Sequence, residues 1–161
     1  MLFPYSVNMI DPINSAEPLS SEPREVTLRS AIERFYFGYR AFTELPDRIL
    51  NQRGLGRVHH RILYFVGRSP RMSVNDLLSV LCVTKQALNA PLRQLIEMRL
   101  VAMETAEHDR RVRELVLTQI GVKLEAQLTG TQMKQLQSVF LQAGPEAEAG
   151  WHQVMRCLSA R

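Results

Sequence analysis

The stretch that decides the fold begins Thr84-Lys85-Gln86-Ala87-Leu88-Asn89-Ala90-Pro91-Leu92-Arg93-Gln94-Leu95-Ile96 and continues through Leu100-Val101-Ala102-Met103-Glu104-Thr105. It then passes Glu107-His108-Asp109-Arg110-Arg111, Val112-Arg113-Glu114-Leu115-Val116-Leu117 and Thr118-Gln119-Ile120-Gly121. Thr84 is a good N-cap, and Leu88, Leu92, Leu95 and Ile96 recur at helical spacing. The next two runs alternate apolar and polar residues around a charged tip, as a hairpin does. Thr118 then opens a new helix.

Outward from this stretch, Ser73-Val74-Asn75-Asp76 caps a short helix of about eight residues with an apolar face at Leu77, Leu78, Val80 and Leu81. The tight turn Cys82-Val83 joins it to the helix capped by Thr84, which makes a helix-turn-helix. With the hairpin, the layout is a winged helix-turn-helix: a mainly α fold carrying a small β-hairpin wing. That layout offers DNA a helix of major-groove size and an arginine-tipped arm.

Residues 1–23 hold prolines and serines without helical period and read as a mobile or extended N-terminal arm. Residues 24–53 read as an N-terminal dimerisation helix. Its wide stripe (Val26, Leu28, Ala31, Ile32, Phe35, Tyr36, Tyr39, Phe42) predicts about twenty helical residues, with a kink or break at Pro46. Residues 54–117 form the winged DNA-binding lobe; within it Val58 to Val66 is helical and Gly67 is placed at C′. Residues 118–161 form C-terminal dimerisation helices, the first weakened midway by Gly130 and the second bearing Trp151, Val154, Met155 and Leu158. Stripes this broad exceed one small core, and a two-fold homodimer would cover them while supplying two reading heads for a palindromic operator.

Across 161 residues the formal charge is only +4, but residues 57–113 hold ten Lys and Arg against five Asp and Glu. A basic middle suits a phosphate-facing lobe. No run reaches the ~20 apolar residues of a membrane span, and no signal peptide is visible, so the expectation is a cytoplasmic chain without a membrane partner. Two distant cysteines, Cys82 and Cys157, make no disulfide framework. Cys82 in Leu81-Cys82-Val83 is expected to be a small buried side chain; a thiol-based redox regulator would instead need it exposed near a cation such as Lys85. His59 and His60 are adjacent and point about 100° apart, and no paired His or Cys motif exists, so neither a metal nor another cofactor is expected. No nucleophile–base pair stands at local spacing, so no catalytic residue is assigned and the chain is not expected to be an enzyme.

The tip Asp109-Arg110-Arg111, followed by Leu115-Val116-Leu117-Thr118 and Gly121, resembles the wing signature of the MarR family of bacterial transcription regulators, an Asp-Arg-Arg tip and then Leu-Thr-x-x-Gly. Residues 74–101 fit the family's helix-turn-helix without gaps, and the flanking helices match in layout. The resemblance implies a homodimer whose outer helices form the dimer layer, and a small, often aromatic or anionic, effector bound between that layer and the DNA-binding lobes to release double-stranded DNA. Three positions depart from the family: Arg99 where glycine is usual, Ala90 where arginine is common, and Pro91 inside the reading helix. At Arg99 the arginine must tolerate a positive φ at a cost of about 1 kcal/mol, or the turn must change shape.

The residues expected to touch DNA are Thr84, Lys85, Gln86, Asn89 and Arg93 on the reading helix, and Arg110 and Arg111 at the wing. The amides suit base edges and the cations suit guanine and phosphate. Arg110 is the candidate minor-groove finger, and Asp109 resembles the family acid that steadies Arg111. Tyr36, Tyr39, His59, His60 and Tyr64 either line an effector crevice or form an ordinary aromatic core. The expected function is a sequence-specific DNA-binding repressor released by a small-molecule ligand. Two alternatives stand beside it: a ligand sensor or scaffold of the same fold with a reading head weakened by Ala90 and Pro91, and the redox regulator through Cys82.

Overall fold

The computed structural model describes residues 23–106 and 112–160. Its elements run α1 (Arg24–Asn51), α2 (Arg57–Arg68), β1 (Met72–Ser73), α3 (Val74–Leu81), α4 (Lys85–Glu97), β2 (Val101–Thr105), β3 (Arg113–Leu117), α5 (Gln119–Ala143) and α6 (Pro145–Ser159). Two compact units divide within α1: residues 1–37 and residues 38–161. In the first, the described face of α1 carries exposed Ile32, Phe35 and Phe37.

The core of the second unit draws on every element around the helix-turn-helix. Leu50 and Leu55 meet Ile62, Leu63 and Val66 of α2, Leu77 of α3, and Leu88, Leu92 and Leu95 of α4. Leu100, Val101 and Leu115 close it from the sheet, and Leu124 and Leu128 from α5. The expected stripe at 88, 92 and 95 is therefore the buried face of α4. Local capping fixes where the helices start. Ser73 Oγ accepts the Asp76 amide while the Asp76 carboxylate receives the Ser73 amide, a reciprocal box that opens α3. The bonds it accepts from Ser73 also hold the Asp76 carboxyl below its ordinary range. Thr84 Oγ1 accepts the Ala87 amide and opens α4; Thr118 Oγ1 accepts the Gly121 amide and opens α5.

The wing belongs to a three-stranded antiparallel sheet in the order β1-β3-β2. The two-residue β1 gives no signal at the length of sequence a strand pattern needs. Register sets Met103 opposite Leu115 and Glu104 opposite Glu114. Behind the hairpin, α5 approaches the α4–β2 turn so closely that a Cβ on Gly121 would stand 1.9 Å from the Leu100 carbonyl oxygen. Only glycine fits there, which is the physical content of Leu-Thr-x-x-Gly.

Several expectations change. Helix α1 has 28 residues and passes through Pro46 without a break. Pro46 is fully buried, and the Phe42 carbonyl, left without its helical donor, receives Gln132 Nε2 from α5 at 3.5 Å. Packing and this outside donor offset the missing bond. Helix α2 continues through Gly67 to Arg68; Gly67 is not a C′ residue but a close approach, since a Cβ there would stand 3.1 Å from the Leu117 side chain. Cys82 is exposed rather than buried, because it caps α3 in the left-handed region at φ 51° and so turns away from the core. Arg99 does adopt the positive φ that glycine would ease, at 55°.

Candidate nucleic-acid interface

The reading helix begins at a fixed point because the chain turns tightly between α3 and α4 and Thr84 caps the first turn of α4. Burial of Leu88, Leu92 and Leu95 rotates Lys85, Gln86, Asn89 and Arg93 to the exposed side. Thr84, also expected at the DNA, uses its hydroxyl as the cap. Arg93 sits 3.7 Å from Glu97 one turn on, an exposed pair that holds it loosely. Pro91 lies within α4, which remains continuous from Lys85 to Glu97. Gln86, Asn89, Ala90 and Arg93 border a groove that Met103 of β2 closes on the far side. Asp109, Arg110 and Arg111 lie outside the described residues.

At the wing base the structure supplies a charged group that sequence reading missed. Arg71, just before β1, donates from Nη1 to Glu114 at 2.9 Å and stands 3.4 Å from Glu104 through Nη2. Its own backbone has φ 65°. Arg113 donates to Thr105 Oγ1 across the strands at 2.6 Å.

A cavity of about 340 Å³ lies beside α2, walled by Tyr39, Phe42, Pro46, His60, Arg61, Tyr64, Phe65, Met133 and Leu136 among others. Three of the five expected crevice residues, Tyr39, His60 and Tyr64, line it. Tyr36 belongs to the first unit, where its ring meets Phe37 edge-on. His59 points to the other side of α2. Two arginines reach the cavity in different states. Arg57 is engaged by Asp47 at 2.7–3.2 Å and lies 5.2 Å over the Tyr39 ring; the Asp47 bond raises its pKa further. Arg61 contacts the Tyr39 hydroxyl at 3.4 Å, with no ion pair among the described residues. Burial holds His60 below its ordinary range, against the pull of Glu125 and Asp47. The cavity thus offers aromatic and apolar walls, a neutral imidazole and one uncompensated cation.

His59 links this helix to the reading helix. Its Nδ1 accepts the Gly56 amide at 3.0 Å, so the proton lies on Nε2, which donates to Gln94 Oε1 at 2.9 Å. Gln94 Nε2 in turn donates to the Gly54 carbonyl at 3.1 Å. The first turn of α2, whose other side walls the cavity, is thereby bonded to α4 one residue beyond Arg93.

Among the described residues no helix is long and apolar enough to cross a membrane, and no three His, Cys, Asp or Glu side chains gather as a metal would need.

The MarR family profile matches residues 53–112. The HTH-type transcriptional regulator PetP of Rhodobacter capsulatus is 45% identical over 131 residues, covering 81% of this chain and 79% of that protein. Among solved structures, Streptococcus pneumoniae FabT in complex with DNA superposes with a TM-score of 0.69 at 16% identity, covering 83% of this chain and 94% of FabT. NadR in complex with 4-hydroxyphenylacetate superposes at 0.63 and 21% identity, covering 92% and 97%.

Proposed function

Since the chain belongs to the MarR family of transcriptional regulators, we propose that it acts as a homodimeric repressor on palindromic double-stranded DNA and leaves that DNA when a small aromatic anion binds. One observation carries the DNA half of this reading: an α4 whose Lys85, Gln86, Asn89 and Arg93 are exposed as a set over a fully packed Leu88–Leu92–Leu95 face. Asn89 and Gln86 pair with base edges, and Lys85 and Arg93 neutralise phosphate or read guanine. The FabT complex has the same fold on DNA.

Homodimerisation is supported by apolar surface that water would otherwise meet. Within residues 38–161, Met133, Leu141, Val154 and Leu158 are each more than half exposed; within the first unit the same holds of Ile32, Phe35 and Phe37. Patches of this kind mark association surfaces.

The effector half rests on the cavity. One free guanidinium, Arg61, suits a single negative charge, and Phe42, Phe65 and Leu136 suit a ring. NadR, of the same fold, is solved with 4-hydroxyphenylacetate.

The test is site selection from random duplex DNA by the wild-type chain and by Asn89→Ala and Lys85→Ala. The expected result is one inverted-repeat motif, altered by Asn89→Ala and kept, at lower affinity, by Lys85→Ala. Selection of no motif would overturn the proposal.

A further inference from the structure

Glu104 and Glu114 face each other directly across β2 and β3. Two carboxylates in that position repel, and a hairpin gains nothing locally from keeping them. Both lie on the sheet face opposite buried Leu115, since residues alternate along a strand. Arg71 resolves the conflict. Its guanidinium reaches Glu114 at 2.9 Å and Glu104 at 3.4 Å, and its amide donates to the Leu115 carbonyl at 3.0 Å. The arginine does this from φ 65°, a conformation that favours glycine. A strained residue whose side chain spans two like charges marks a position kept for its charge.

We propose that Arg71 is a positioning residue for DNA binding. It clamps the two wing strands at their base, holding β2 and β3 in register and offsetting one of the two facing carboxylate charges that would otherwise meet phosphate. This rests on the DNA-binding reading above. Glu114 is the better-shielded partner, with a side chain 13% exposed against 46% for Glu104. Half-exposed pairs are individually weak, so two together predict an effect of about threefold to tenfold.

The test uses the full chain with Arg71→Met, Arg71→Gly and Arg71→Met/Glu104→Gln. Amide hydrogen exchange needs no DNA. Arg71→Met should speed exchange across residues 101–106 and 113–117 by about threefold to tenfold, including the Ala106 amide that donates to Val112. Arg71→Gly relieves the backbone yet should do the same. The double variant should return to near wild type, because removing one carboxylate removes the repulsion. Affinity for the duplex selected by the wild type should fall and recover in parallel, with its salt slope unchanged. Unchanged exchange in Arg71→Met, or a double variant as impaired as the single, would overturn the clamp. A salt slope reduced by about one would make Arg71 a phosphate contact instead. Should the wild type select no DNA, the DNA-binding reading fails while the exchange experiment still decides the clamp.

Discussion

Replacing Gly121 by alanine adds one methyl group where α5 rests on the α4–β2 turn. An ideal Cβ there stands 1.9 Å from the Leu100 oxygen and 2.9 Å from its carbon. Both are backbone atoms, so no side chain can step aside, and the start of α5 must retreat by more than about 1 Å to reach ordinary contact. That retreat stretches two bonds which tie α5 to the turn: the Thr118 amide to Leu100 O at 3.1 Å and Thr118 Oγ1 to Arg99 O at 2.6 Å. Each is worth about 0.5–1.5 kcal/mol net, and the overpacking adds about 1–3 kcal/mol. Alanine returns roughly 0.5–1 kcal/mol of helix propensity, leaving a loss of about 1–5 kcal/mol. The assay is the urea midpoint at fixed protein concentration, because any self-association makes stability concentration-dependent. Gly130→Ala is the internal control. It lies in the same helix with nothing within 4 Å of its Cβ site, so it should stabilise by up to about 1 kcal/mol. Equal responses of the two glycine variants would refute the close-approach argument.

Pro91→Leu should restore the bond to the Ala87 carbonyl and stabilise the chain by about 1–3 kcal/mol, and the stiffer first turns of the reading helix should change operator choice; a more stable variant with unchanged DNA preference would make the proline a passenger. Gln94→Ala removes the bridge between His59 and Gly54 and should weaken DNA binding severalfold, checked by titrating the selected duplex. For His60 the folded value is lowered by burial, so the unfolded chain takes the proton first. Stability should therefore be full above about pH 6.5 and decline as pH falls through the lowered folded value, and His60→Gln should flatten this part of the profile in urea melts at several pH values.

The parts of this fold that sequence made legible are those with local causes. Ser73, Thr84 and Thr118 each announce a helix start because a hydroxyl at the N-cap answers amides two or three residues away. Leu88, Leu92 and Leu95 announce their burial by spacing alone. The features that escaped have causes distant in sequence. Pro46 sits inside a helix because Gln132, far along the chain, meets the carbonyl it leaves open. Cys82 is exposed because the α3 cap needs a left-handed residue, which its apolar neighbours do not reveal. β1 is two residues long and exists only as a partner of β3. Arg71 matters through Glu104 and Glu114, more than thirty residues away, and His59 separates from His60 only when α4 is in place. Sequence marks Tyr36, Tyr39 and Tyr64 only as a group, since whether an aromatic lines a space or fills it depends on packing between distant helices.

If two copies of this basic lobe neutralise phosphates together, the number of chains on the duplex and the response to salt must both show it. Equilibrium binding to the selected duplex across a series of salt concentrations, with stoichiometry measured on the same complex by sedimentation, reads the two at once. With about 3–5 phosphates neutralised per lobe, the expected result is two chains per duplex and a log-log salt slope of about −5 to −9. Retained binding with a flat salt response, or a single chain per duplex, would contradict it.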